Sequence, residues 1–89
     1  MKDLHLVLTH HWFNEIYEGR KLIEYRTLNS YWRKRILDKF FDRVIFHKGY
    51  TNEVVVAEIS EVDIGECPYD GYDGKHIRIH FCDVKGGKQ

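Results

Sequence analysis

Cysteine, proline and methionine are scarce in this 89-residue chain, at two, one and one. Cys67 and Cys82 are too few for a disulfide scaffold and lack the paired spacing of a zinc site. Both are expected to be reduced, with Cys82 buried. The low proline content excludes a collagen-like chain, and the 43% hydrophobic share excludes a disordered one. Long apolar runs are missing too. Runs such as residues 40–41, 44–46 and 54–57 fall far short of the ~20 residues that span a membrane. No membrane partner is therefore expected. The opening residues, Met1-Lys2-Asp3-Leu4-His5, contain no signal-peptide core, which implies a cytoplasmic protein. Net charge is also absent, with 14 Lys and Arg balancing 14 Asp and Glu.

What the chain does have is aromatic bulk, at 15% Phe, Trp and Tyr. In a chain that allows one domain, residues 1–89, these rings must supply much of the buried area. The balanced charge hides an asymmetry. Residues 10–48 carry nine Lys and Arg against five Asp and Glu, while residues 49–89 carry four against eight. One basic surface, able to meet an anion, is one outcome; an ordinary mixed surface is the other, because distant segments interleave in a fold.

Residues 4–9 read as a short strand, apolar enough to be buried on both faces. Thr9 is placed to cap a helix over residues 10–18, on which Trp12, Phe13, Ile16 and Tyr17 form one apolar face. Gly19 follows, where a left-handed residue closes a helix. Residues 22–26 read as a strand with Glu24 and Arg26 on one face. Asn29 or Ser30 caps a second helix reaching about residue 39, with Trp32 and Ile36 one turn apart. Residues 43–48 and 53–62 are strands, the latter bent near its end. Residues 65–74 form a loop, and residues 75–84 a strand with Ile77, Ile79 and Phe81 on one face. Residues 86–89 are expected to fray. The order implies an α+β fold, a small mixed and mainly antiparallel sheet curling into a barrel that two helices cover.

The densest chemical signal is Gly19-x-Lys21-x-x-Glu24-x-Arg26. Glu24 and Arg26 stand about 7 Å apart along their strand, and Lys21 at its start can join them. A carboxylate held between cations keeps its charge and orients them toward a phosphate or a base edge. The plainer alternative is a surface ion pair worth ~0–1 kcal/mol. A second cluster, Tyr31-Trp32-Arg33-Lys34-Arg35, interleaves rings with cations, as a nucleic-acid surface does. On a helix only part of it can face one ligand: Trp32 and Ile36 suit the core, and Tyr31 is the better stacking residue. His47 and Lys48 add a polar strand end. His76 and His80 lie about 13 Å apart on a strand, too far to share a metal. No metal and no cofactor are expected.

The Gly19, Lys21, Glu24, Arg26 spacing resembles the signature of the ASCH domains of the PUA-like superfamily, with a helix before it and a strand carrying the Glu and Arg. Residues 31–35 and 46–50 resemble small stand-alone bacterial and phage members, and the likeness covers residues 4–50. It implies a PUA-like barrel whose cleft is lined by Lys21, Glu24 and Arg26. It also implies RNA or a nucleotide as partner, with Gly19, Tyr31, Arg33, Arg35, His47 and Lys48 completing the binding set. In hydrolytic relatives a lysine, a hydroxyl residue and a carboxylate cooperate. Here Lys21 and Glu24 are the candidate catalytic pair, but Glu24 stands where those relatives carry threonine. A second carboxylate would have to come from Glu58, Glu61 or Asp63. The readings, in order, are a binding module, a small hydrolase of modified nucleosides or RNA, and a protein adaptor using the acidic 53–73 stretch. The sequence leaves the oligomeric state open, a monomer included.

Overall fold

A single five-stranded sheet, in the order β1-β3-β4-β5-β2, organises the chain. The computed structural model describes residues 2–86. Its strands are β1 (Asp3–Leu8), β2 (Ile23–Thr27), β3 (Arg43–Lys48), β4 (Val54–Glu66) and β5 (Lys75–Lys85). β1 and β3 are parallel, and the other three pairs are antiparallel. A parallel pair needs a long crossover, and the segment between β1 and β3 supplies it. That segment contains α1 (His10–Tyr17), β2 and a short helix, α2 (Ser30–Trp32), which runs on into a π-helical turn, Arg33–Leu37. β2 is thereby carried to the opposite end of the sheet, where it pairs with β5.

Register shifts between Val56 and Glu58, and between Ile59 and Glu61, bend β4 and curl the sheet. The result is a half-barrel with two short helices, and the expected closure stops there: β1 and β2 each pair on one side only and remain edges. β1 also corrects the expectation of burial on both faces. Leu4, Leu6 and Leu8 are buried while His5 and Val7 are exposed, because strand alternation turns only the leucines toward the core.

The core gathers the inward residues of four strands, with Val44 and Phe46 opposite Val55 and Ala57, and Ile77, Ile79 and Phe81 beside them. Phe13 and Ile16 of α1 and Ile36 of the π-helical turn close over it. Burying each such side chain contributes about 1.5–3 kcal/mol. Asn29 caps α2, its side chain accepting from the Trp32 N–H at 2.9 Å. Thr9 is extended at the start of α1 but makes no side-chain cap; its carbonyl accepts from Phe13 at 3.0 Å instead. β4 runs on to Glu66, so Gly65 and Glu66 belong to the strand and not to the loop. Cys82 is exposed, contrary to expectation, because the Ile77, Ile79, Phe81 alternation turns it outward. Of the tail expected to fray, residues 87–89 lie outside the described residues. Among the described residues no helix is long and apolar enough to cross a membrane.

Candidate functional site

The end of α1 sets up the site. Gly19 takes φ +82°, a left-handed turn that glycine adopts at little cost. Beyond it the N–H groups of Arg20 and Lys21 both donate to the Glu15 carbonyl, at 2.9 and 3.2 Å. The Arg20 guanidinium grips the Glu15 carboxylate, with Nη2 2.7 Å away. This hook delivers Lys21 to the start of β2. Strand alternation then puts Glu24 and Arg26 on the concave face, opposite Ile79 and Ile77 of β5.

Lys21 and Glu24 are almost fully enclosed, at 6% and 2% exposure. Lys21 Nζ donates to Glu24 Oε1 at 2.5 Å, and Arg26 Nη1 donates to Glu24 Oε2. Arg26 also donates to its neighbour's carbonyl, that of Tyr25, at 3.0 Å. Across the open side of the half-barrel it reaches the Val7 carbonyl of β1 at 3.4 Å. The triad thus sits in the gap between the two unpaired sheet edges. Two cations share one carboxylate, which leaves one positive charge in excess.

Aromatic rings enclose these charges. Lys21 Nζ lies 4.3 Å from the Trp12 ring centre, 5.6 Å from Tyr69 and 6.0 Å from Tyr25. The Arg26 guanidinium lies 5.2 Å from the Trp32 ring. Ring faces attract desolvated cations. Tyr69 also stands 4.7 Å from Trp12 and meets Tyr25 edge-on. Burial pushes the Tyr25 and Tyr69 hydroxyls above the usual tyrosine value, and the nearby Cys67 adds to the shift. Both phenols are therefore neutral donors near pH 7.

Between the triad and the rings lies a cavity of about 220 Å³. Thr27, Cys67, Tyr72 and His76 complete its lining. Concavities elsewhere are larger, at about 510 Å³ beside Phe13 and Lys48, so volume does not single this one out. The buried charges do. Among the described residues, the buried side-chain polar atoms all have hydrogen-bond partners.

The other expected site residues are scattered. Tyr31 and Arg35 border a neighbouring groove that shares Arg26 and Trp32 with the cavity. Arg33 is exposed and lines neither. Lys48 pairs with Glu53 at 3.3 Å, and His47 Nε2 lies 2.9 Å from His5 Nδ1, so neither joins the triad. Trp32 is partly buried, packed against the core while also lining the cavity, and Ile36 is core as expected. Glu58, Glu61 and Asp63 do not line the cavity, which overturns the suggestion of a second carboxylate. Glu61, Asp63 and His80 bring possible metal ligands within 4.8 Å of one another. Arg78, however, takes both Asp63 oxygens at 2.8 Å. Its guanidinium holds the Asp63 carboxyl down at about 2 and opposes a cation there.

Sequence reading missed Trp12, assigned only to the helix's apolar face, together with Tyr25, Thr27, Cys67, Tyr69, Tyr72 and His76. The loop between β4 and β5 held a signal: two tyrosines in a short Gly- and Asp-rich connection between strands, a common place for binding side chains. Comparison with family models, curated proteins and solved structures returned no match.

Proposed function

We propose that the cavity beside Lys21, Glu24 and Arg26 binds a nucleobase, and that the protein is an RNA- or nucleotide-binding module. The observation that carries this reading is the buried triad facing an aromatic-walled cavity. Apolar side chains would stabilise the same space as well or better than buried ions, so the charges are better explained by a ligand than by folding. At about 220 Å³ the cavity falls below the ~300 Å³ of drug-sized sites and suits one planar ring system. Rings from Trp12, Trp32 and Tyr69 offer stacking, while Lys21, His76 and the tyrosine hydroxyls offer hydrogen bonds to base edges. The resemblance to ASCH domains points the same way, as does a half-barrel with two helices. Both Glu24 oxygens are engaged by cations and no second carboxylate lines the cavity, which favours binding over hydrolysis.

The chain's two tryptophans both line the cavity, so their fluorescence reports its occupancy. Titration with the four ribonucleosides and with short single-stranded RNA is expected to change that fluorescence saturably. RNA affinity should fall between about 50 and 200 mM salt as counterion release is suppressed. Trp12→Ala is expected to abolish the response to nucleosides while the variant stays folded. No response to any of these probes, or an unchanged affinity for Trp12→Ala, overturns the reading. Turnover of a nucleoside would move the assignment to the hydrolase.

A further inference from the structure

We infer that the ligand is a single strand of at least two nucleotides, not a free nucleotide: one base fills the cavity, and the next nucleotide lies along the free edge of β1. The inference rests on the nucleobase reading above and deepens it.

The groove of about 410 Å³ that adjoins the cavity is what carries it. His5, Val7, Thr9, Tyr31 and Arg35 line the groove, and it shares Trp12, Glu24, Arg26 and Trp32 with the cavity. Arg26 and Trp32 are therefore a common wall with a compartment on either side. A chain of contacts crosses it. Tyr31 meets Trp32 edge-on at 4.8 Å, Trp32 faces the Arg26 guanidinium at 5.2 Å, and Arg26 binds Glu24, which binds Lys21. A ligand confined to the cavity would leave the outer half of this chain unused.

The groove's charge and its edge select the occupant. Its lining includes Arg26 and Arg35 against a single carboxylate, Glu24, which Lys21 and Arg26 already share. Arg35 is exposed, and among the described residues its guanidinium makes one hydrogen bond, a long one, 3.3 Å from Nη2 to the His5 carbonyl. Its remaining donors can meet a phosphate. An added peptide strand is disfavoured, because strand addition needs the outer carbonyls of β1. Those of His5 and Val7 are capped by Arg35 and Arg26. Tyr31 is 61% exposed, a ring open to a second base. The assignments follow: the phosphodiester sits at Arg35, and the second base stacks on Tyr31.

The test compares each ribonucleoside with its dinucleoside monophosphate (CpC, UpU, ApA, GpG) by tryptophan fluorescence and calorimetry. It uses the wild type, Tyr31→Ala and Arg35→Gln, all checked for an unchanged melting temperature. The best dinucleoside monophosphate is expected to bind roughly 5- to 150-fold more tightly than its nucleoside, the range of one stacked base. Tyr31→Ala and Arg35→Gln should each remove much of that gain and leave nucleoside affinity as it was. Equal affinities for nucleoside and dinucleotide overturn this inference and leave the nucleobase reading standing. So does a gain that survives both substitutions. Silence from every probe defeats the nucleobase reading itself.

Discussion

The Lys21 ammonium lies 4.3 Å from the centre of the Trp12 ring. A cation so placed has exchanged water for a carboxylate on one side and an aromatic face on the other. Arg26 repeats the arrangement with Trp32. Each cation of the triad thus has its own tryptophan, and both pairs stand on one carboxylate, that of Glu24. The carboxylate fixes the cations, the cations orient the rings, and the rings wall the cavity. Disturbing Glu24 should therefore reach all of them.

Glu24→Gln tests that dependence. Glutamine keeps the shape but removes the charge, which leaves Lys21 at 6% exposure with no counter-ion. Removing one member of a buried ion pair typically costs ~3–5 kcal/mol, and a loss of that size is expected in urea denaturation. A loss below ~1 kcal/mol, the worth of an exposed pair, would mean that water reaches the triad.

Outside the cavity, Asp63 contributes to the acid limb of stability. Arg78 and then His80 hold its carboxyl at about 2 in the folded chain, against 3.8 ordinarily. A depressed carboxyl stabilises the fold above its unfolded value and loses that contribution as pH falls through the folded one. The window therefore runs from about pH 4 to pH 2. Asp63→Asn is expected to melt below the wild type at neutral pH, with the gap closing as the pH approaches 2. A gap that is constant across that window would show that Arg78 does not perturb Asp63.

Gly65 protects the same ion pair. A Cβ at this position would lie 2.4 Å from the Arg78 Cζ, so the guanidinium must swing off Asp63 to admit it. Gly65→Ala is expected to lower stability and to flatten the acid dependence as Asp63→Asn does. The double variant should cost less than the two single losses combined, because both remove one interaction. Strict additivity in thermal melts would place the cost of Gly65→Ala elsewhere.

The order and face of most elements were legible from side-chain periodicity, and so was the placing of Glu24 beside Arg26, because both lie within one short strand. Gly19 as the helix exit was readable for the same local reason. What could not be read is what depends on pairing across distance. Nothing near β2 says that it pairs with β5 and leaves its other edge open opposite β1. That gap makes the cavity, and it is closed by Tyr69 and Tyr72 from a loop more than forty residues away. His47 and Lys48 look basic and available in sequence, yet β3 lies inside the sheet and turns them to His5 and Glu53. Trp32 and Ile36 share a helical spacing, but only Ile36, inside the π-helical turn, is fully buried; Trp32, just before the turn, packs against the core and also lines the cavity.

The cavity tyrosines give the last prediction and a direct measure of how enclosed the site is. Desolvation is the largest cause raising both Tyr25 and Tyr69, since an ionised phenolate among rings loses hydration. A group whose folded value lies above its unfolded one stabilises the chain below the unfolded value. That contribution fades as pH rises past ~10, so stability should fall on the alkaline side. In absorbance titration the folded protein is expected to show a late-ionising component that disappears in guanidinium. Tyr25→Phe and Tyr69→Phe should each diminish it, and the double variant should lose it. A nucleobase seated against these rings excludes further water and should push the component later still. If the wild type lacks the component, or the double variant retains it, the cavity is open to solvent and its rings do not form a dry wall for a base.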